Sequence, residues 1–211
     1  MSEIVLVALA GPAIIYPGPT PIGDPARWIG PSDYPADAIF ERKQGVSVVE
    51  VTVDPTGHAV QCRVPVGSGS VSLDKTACAA VAGRGLWQPT IDQSGKPIFA
   101  IYRQRVSWML PGPLFKSPGV QSDMQIEVAK LPVSAGDATV VVRQIQRADG
   151  SQESCEVVQP SPSPALNSIA CIVGAQLTAT APIGDAAGQR VRGARWRMIE
   201  FVEKGAAPPS K

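Results

Sequence analysis

Cysteine is the residue type whose spacing in this sequence most directly suggests chemistry. Cys62 and Cys78 are 16 positions apart (78 − 62 = 16), and Cys155 and Cys171 are also 16 apart (171 − 155 = 16). Two equal spacings favour two disulfides, one in each of two similar units, and therefore an oxidising compartment. A zinc site is less favoured because its ligands usually come in close pairs, and the sole histidine, His58, has no matching partner. Free buried thiols in a cytosolic protein are the remaining alternative.

A second chemistry to consider is nucleophilic catalysis by serine, histidine and aspartate, because His58 is close in sequence to Asp54 and serines are plentiful. No Gly-x-Ser-x-Gly elbow is present, and a histidine beside the turn at residues 54–57 is ordinarily a solvent-exposed one. The glycine-rich run at 67–70 lacks the following lysine and the βαβ setting of a phosphate-binding loop. The sequence therefore predicts no enzyme, no cofactor and no metal site.

The cysteine pairs belong to a longer internal repeat, in which one half of the chain maps onto the other at a fixed shift (155 − 62 = 93). Turn-forming and apolar residues coincide at that shift without a gap. The matching pairs include Val48 with Val141, Gly57 with Gly150, Ser68 with Ser161, Leu73 with Leu166, Pro89 with Pro182 and Asp92 with Asp185. The sequence therefore predicts two tandem copies of one small unit. Units of this size bury small hydrophobic cores, so a covalent cross-link in each would add to the stability of the fold.

Composition narrows the classes of partner. The net charge is +1 and the pI about 7.6, with no run of Lys or Arg, so we expect neither nucleic acid nor an anionic membrane surface as a partner. No apolar run reaches the length needed to span a bilayer. Residues 4–9 are apolar and Ala8-Leu9-Ala10 has the form of a cleavage site, yet Glu3 stands where a signal peptide carries positive charge. We expect a signal peptide to be absent or incomplete in the chain as written.

Hydrophobic periodicity and turn residues predict the order helix, strand, strand, helix, strand for the first unit. The predicted elements are a helix at 36–43, strands at 46–53 and 59–66, a helix at 73–84 and a strand at 98–110. The strand at 46–53 is predicted to have one solvated face, and Ser72 is predicted to cap the second helix. Because that helix packs on the sheet, we expect it to hold Cys78 over Cys62.

Several motifs in this unit follow one another in a specific order. They are Asp33-Tyr34-Pro35, Asp54-x-x-Gly57, Cys62-x-Val64, Ser68-Gly69-Ser70, Leu73-Asp74, Cys78, Trp87-x-Pro89, Asp92-x-x-Gly95-x-Pro97 and Val106-Ser107-Trp108. Together with the preceding stretch from Gly23 to Trp28, they resemble the C-terminal domain of TonB-family energy transducers in a cysteine-bearing form. The resemblance covers residues 23–110. It implies an α+β fold, with two tandem TonB-C-terminal-like units that each pack two helices on a three-stranded antiparallel sheet.

The second unit resembles the family less closely, and we interpret it as a degenerate copy. No Tyr-Pro precedes it, and Thr180 stands where the first unit has Trp87. The predicted organisation is a proline-rich arm at 1–32 (in part a signal remnant in one interpretation), a first domain at 33–110, a linker at 111–131, the degenerate domain at 132–203 and a tail at 204–211. Trp28 in the arm is expected to dock on the first domain, the alternative being a flexible partner-binding segment.

The resemblance also implies a function. In that family the domain accepts an extended peptide of an outer-membrane transporter as an added strand. The corresponding edge here is the last strand of the first unit, around Tyr102, Arg103, Gln104 and Arg105, although arginines at an edge also discourage aggregation. The prediction is a periplasmic interaction module whose partners are segments of outer-membrane transporters or TonB-system components.

An alternative stays open. The chain is then an accessory envelope protein that uses its tandem fold for stability or for forming a homodimer. In that case the strand edge is covered by the other unit or by the proline-rich arm. We expect no energy transduction from the chain as written, because that activity needs a membrane anchor and a long proline-rich spacer.

Overall fold

The structure is a computed structural model that describes residues 18–111, 122–178 and 182–205. The predicted signal remnant, residues 112–121 of the predicted linker, Thr180 and the end of the predicted tail lie outside these residues. The chain divides into two compact units: of the described residues, 19–111 belong to unit 1, and 122–178 with 182–205 belong to unit 2. Helices and strands occur in both, so the predicted α+β class is confirmed.

Unit 1 contains the five predicted elements in the predicted order and one additional two-residue strand that was not predicted. They are α1 (Ala36–Phe40), β1 (Gly45–Val53), β2 (Ala59–Val66), α2 (Val71–Arg84), the short β3 (Thr90–Ile91) and β4 (Pro97–Trp108). β1 lies between β2 and β4 and is antiparallel to both, while β3 pairs with the start of β4. Ser70 rather than Ser72 occupies the N-cap position of α2, so that detail of the prediction is wrong.

The core of unit 1 lies between α2 and one face of the sheet. Leu73, Ala77 and Val81 of α2 are fully buried and belong to the same cluster as Val49 and Val51 of β1. The prediction that β1 has one solvated face is wrong, because Glu50 and Thr52 on its other face are only 3% and 5% exposed. The prediction relied on periodicity, because a charged residue such as Glu50 at an alternate position of a strand ordinarily indicates a solvent-exposed face.

Unit 2 contains one strand more than predicted and, within the described part of it, one α-helix fewer. Its elements are β5 (Met124–Val128), β6 (Thr139–Gln146), β7 (Gln152–Gln159), α3 (Pro164–Thr178) and β8 (Gly193–Glu203). β6 lies between β7 and β8 and is antiparallel to both, and β5 runs parallel to β8. Where the first helix of a second copy was predicted, the described residues form a single 3-10 turn at Ala135–Asp137.

Strand pairing in unit 2 repeats that of unit 1 at the shift of 93. Val51 pairs with Tyr102 in unit 1, and the corresponding residues Gln144 and Arg195 pair in unit 2. The side chains at these positions differ in kind, since Gln144 and Arg195 are polar yet at most 2% exposed. Gly174 stands where α2 has Val81, and a Cβ added to it would lie 2.9 Å from the Gln144 amide nitrogen. The glycine therefore makes room for the buried glutamine.

Candidate functional site

The four predicted edge residues of β4 lie on two different faces of the sheet. Tyr102 and Gln104 point to the helix side, because their β1 partners are Val51 and Val49, which face α2. Side chains alternate along a strand, so Arg103 and Arg105 lie on the opposite face. The structure therefore separates the predicted site residues into an aromatic and amide pair and a cationic pair.

On the helix side, the proline-rich arm contacts β4 directly. The ring of Trp28 packs edge-on against Trp87 at 5.2 Å and against Tyr102 at 5.8 Å between centroids. Gln104 Nε2 donates a hydrogen bond to the Pro25 carbonyl at 3.3 Å. Burial raises the pKa of Tyr102 to about 12, because the phenolate would lose its hydration in this position. Trp28 is 6% exposed, so the expectation that it docks on the first domain is met.

Backbone and ion-pair contacts hold the arm in place. Ile22 N donates to Leu86 O at 2.8 Å, and Gln88 N donates to Thr20 O, also at 2.8 Å. Arg84, at the end of α2, donates to the Trp28 carbonyl at 2.6 Å and to both carboxylate oxygens of Asp33 at 2.7 Å. The Arg84 hydrogen bonds hold the pKa of Asp33 below its ordinary value. The described part of the arm is thus an integral layer of unit 1.

On the opposite face, a row of alternating charges crosses the sheet. Glu50 in β1 pairs in register with Arg63 in β2 and Arg103 in β4. Its Oε1 accepts from Arg103 Nη2 at 2.6 Å, and its Oε2 accepts from Arg63 Nη2. A buried carboxylate is costly without partners, so this row, which we call the Glu50 ladder, compensates the burial and fixes the direction of Arg103. Burial lowers the pKa of the Arg105 guanidinium.

Two disulfides fix the outer strands to the helices, which confirms the prediction for the cysteines. Cys62 of β2 is bonded to Cys78 of α2, with Cα atoms 5.8 Å apart. Cys155 of β7 is bonded to Cys171 of α3, with Cα atoms 5.7 Å apart. Strand-to-helix bridges of this kind hold the sheet on its helix, and no free cysteine remains in the described residues. The cysteines are therefore structural.

His58 and Asp54 lie where the sequence placed them, in an exposed turn. Asp54 Oδ1 accepts from the backbone N–H of Thr56 and of His58, which is the pattern of an Asx-type turn. Thr56 Oγ1 lies between the two side chains, 2.6 Å from Asp54 and 3.0 Å from His58 Nδ1. These contacts shape the hairpin. Among the described residues, no three His, Cys, Asp or Glu side chains are grouped so as to hold a metal ion.

Sequence reasoning missed β5, which adds to the edge of β8. Residues 124–128 fall in the predicted linker, yet Met124, Ile126 and Val128 alternate with polar residues as in a strand. Asp123 prolongs the contact, because its backbone N–H donates to Met198 O at 2.8 Å. The alternation was a usable signal, but the proline- and glycine-rich residues that precede it favoured a linker.

Comparison with known proteins bears on unit 1. The family model described as the Gram-negative bacterial TonB protein C-terminal matches residues 31–110. This match confirms the resemblance for the stretch that holds α1 to β4, and it does not extend to unit 2. No curated protein and no solved structure matches the chain. In the part of the chain that the structure describes, every helix is too short or too polar to cross a membrane.

Proposed function

We propose that unit 1, which carries a TonB C-terminal domain at residues 31–110, binds extended segments of protein partners by strand addition along β4. The partners would be outer-membrane transporters or other components of a TonB system, and the compartment would be the periplasm. The family match is the observation that carries this proposal. The two disulfides support it, since they persist in an oxidising compartment.

One feature of unit 1 argues against β2 as the accepting strand. β2 contains Pro65, which has no N–H to donate and is typical of edge strands that do not accept another strand. In β4, the single proline is Pro97, the first residue of the strand. In strand addition the backbone of the accepting strand supplies the hydrogen bonds, and its side chains supply selectivity.

A peptide titration with matched variants tests this proposal. Fluorescein-labelled peptides from outer-membrane transporters are titrated with the full-length oxidised protein, and binding is followed by fluorescence anisotropy. We expect binding that Arg105→Pro abolishes and that Arg105→Ala largely retains, because proline interrupts β4 as an accepting strand whereas alanine changes only the side chain. Circular dichroism checks that both variants are folded.

Three outcomes would contradict parts of the proposal. Binding that survives Arg105→Pro would place the peptide elsewhere than β4. Absence of binding at high protein concentration would instead favour the accessory envelope protein. Four alkylatable thiols in the protein from its native source would contradict the assignment to an oxidising compartment.

A further inference from the structure

We propose that residues 123–128 are a built-in ligand of unit 2. In this view the edge of β8 at residues 199–203 is a strand-accepting surface, and it is occupied by a segment of the same chain. A free segment with the same pattern would bind there once the resident segment is removed. This inference concerns unit 2 alone and does not require unit 1 to bind any partner.

The position of β5 shows that it is an addition to a complete sheet. Ile199 has partners on both sides, Val140 of β6 in antiparallel pairing and Met124 of β5 in parallel pairing. β5 therefore lies along the edge of β8 that faces away from β6. The antiparallel set of β7, β6 and β8 already corresponds, at the shift of 93, to β2, β1 and β4 of unit 1. β5 has no counterpart strand among the described residues of unit 1.

A buried aspartate anchors the start of the segment. Asp123 Oδ2 accepts a hydrogen bond from Met198 N at 2.7 Å, while Asp123 N donates to Met198 O at 2.8 Å. Its other carboxylate oxygen lies 3.4 Å from Arg197 Nη1, and the two side chains are only 3% and 7% exposed. A carboxylate buried this far requires such partners. The edge of β8 is thus specific for an acidic residue at this point.

Apolar side chains fix the register of the rest of the segment. Ile126 and Val128 pack into the core cluster of unit 2 with Ile199 and Phe201, while the side chains between them are exposed. At the far end, Lys204 N donates to Val128 O at 2.8 Å. The surface therefore accepts a parallel strand with an acidic residue followed at the third and fifth positions by aliphatic residues. This combination of backbone bonding and alternating side-chain pockets is the mode used in strand addition.

Covalent attachment explains why the site would be closed to free peptides. A short tether gives the resident segment an effective concentration on the order of millimolar, which a free peptide of equal intrinsic affinity must exceed. Removing the two apolar anchors of β5 should therefore expose the edge without changing the surface that binds the peptide.

Trans-complementation of the full-length protein tests the inference. A labelled peptide of residues 122–130 is titrated into the wild-type protein, into the double variant Ile126→Asp with Val128→Asp, and into Glu127→Gln, a substitution at an exposed position of β5. We expect the double variant to bind at least about tenfold more tightly than the other two proteins, since only in it is the tethered competitor removed. A peptide with Asp123→Asn should bind the double variant more weakly. Equal binding to all three proteins, or none to a double variant with native circular dichroism, would overturn the inference.

A milder variant covers the case in which the double variant does not fold. Asp123→Ala removes the anchor and keeps both apolar side chains. We expect amide hydrogen exchange of Met198 and Lys204 to accelerate by about tenfold or more, with the amides of β6 unchanged, because β5 detaches while the sheet stays intact. Unchanged exchange at Met198, or equal acceleration throughout β6 and β8, would show that β5 is an inseparable strand of the fold.

Discussion

Replacing Trp28 with alanine would test whether the proline-rich arm is part of the folded unit 1. Trp28 is 6% exposed and packs against two aromatic rings at 5.2 and 5.8 Å. Truncation of a buried tryptophan to alanine typically costs about 3–5 kcal/mol in the free energy of unfolding. The two aromatic contacts place Trp28→Ala toward the middle of that range, at about 4 kcal/mol. A loss of this size is a large fraction of the stability of a small domain.

Urea denaturation of the oxidised full-length protein, followed by near-ultraviolet circular dichroism of the tryptophans, measures the effect. With a slope of about 2 kcal/mol per molar urea, a loss of about 4 kcal/mol lowers the midpoint of the unit 1 transition by about 2 M. Ile22→Ala is the matched control, because Ile22 belongs to the same arm but is 55% exposed. Its effect should stay within about 0.5 kcal/mol.

A result within about 1 kcal/mol of the wild type for Trp28→Ala would refute this reasoning, since it falls below the range for buried aromatic truncation. The arm would then be a spacer, as the predicted domain boundary at residue 33 implies. That boundary stays a prediction until such a measurement is made.

Two further predictions concern charge and covalent links in unit 1. Hydrogen bonds with Arg84 lower the pKa of Asp33 in the folded state. The contact therefore stabilises the fold at pH values above the unfolded pKa of about 3.9. This stabilisation is lost as the pH falls through the lower pKa of the folded state. Asp33→Asn should therefore flatten the decline in stability below about pH 4, measured as the urea midpoint against pH, and an unchanged decline would contradict the assignment. Replacing both Cys62 and Cys78 with serine should lower the free energy of unfolding by about 3 kcal/mol, the chain-entropy estimate for a loop of this length. A urea midpoint equal to that of the oxidised wild type would contradict it.

Local patterns predicted the hairpins, the helices that follow them and the bonded cysteines. Val46 to Val53 alternates and ends at a proline- and glycine-containing turn, and such signals act over a few residues. Cys62 and Cys78 meet because β2 and α2 follow each other along the chain and pack against each other. Unit 2 repeats the strand pairing of unit 1 at a shift of 93 residues because its sequence carries the same local signals. The membership of unit 2 in the TonB C-terminal family stays a prediction.

The candidate site was harder to predict because its surroundings come from distant parts of the chain. The alternation of β4 separates Tyr102 from Arg103, and this much is visible in the sequence. The contact of Tyr102 with Trp28 and the burial of Glu50 between two arginines join residues far apart along the chain. A charged residue such as Glu50 indicates a solvated face unless its partners are known, and no local pattern reveals those partners.

The Glu50 ladder has a consequence for how a chain with two similar halves folds. The central strand of unit 1 carries Glu50, whereas the corresponding position of β6 in unit 2 is Arg143, which pairs with Glu156. Similar units on one chain are prone to assemble with each other's strands during folding. If β4 paired with β6 instead of β1, Arg103 would lie directly opposite Arg143, and like charges in that position are destabilising. The reversed charges thus penalise the exchange of strands between the two halves and favour the pairing of each strand within its own unit.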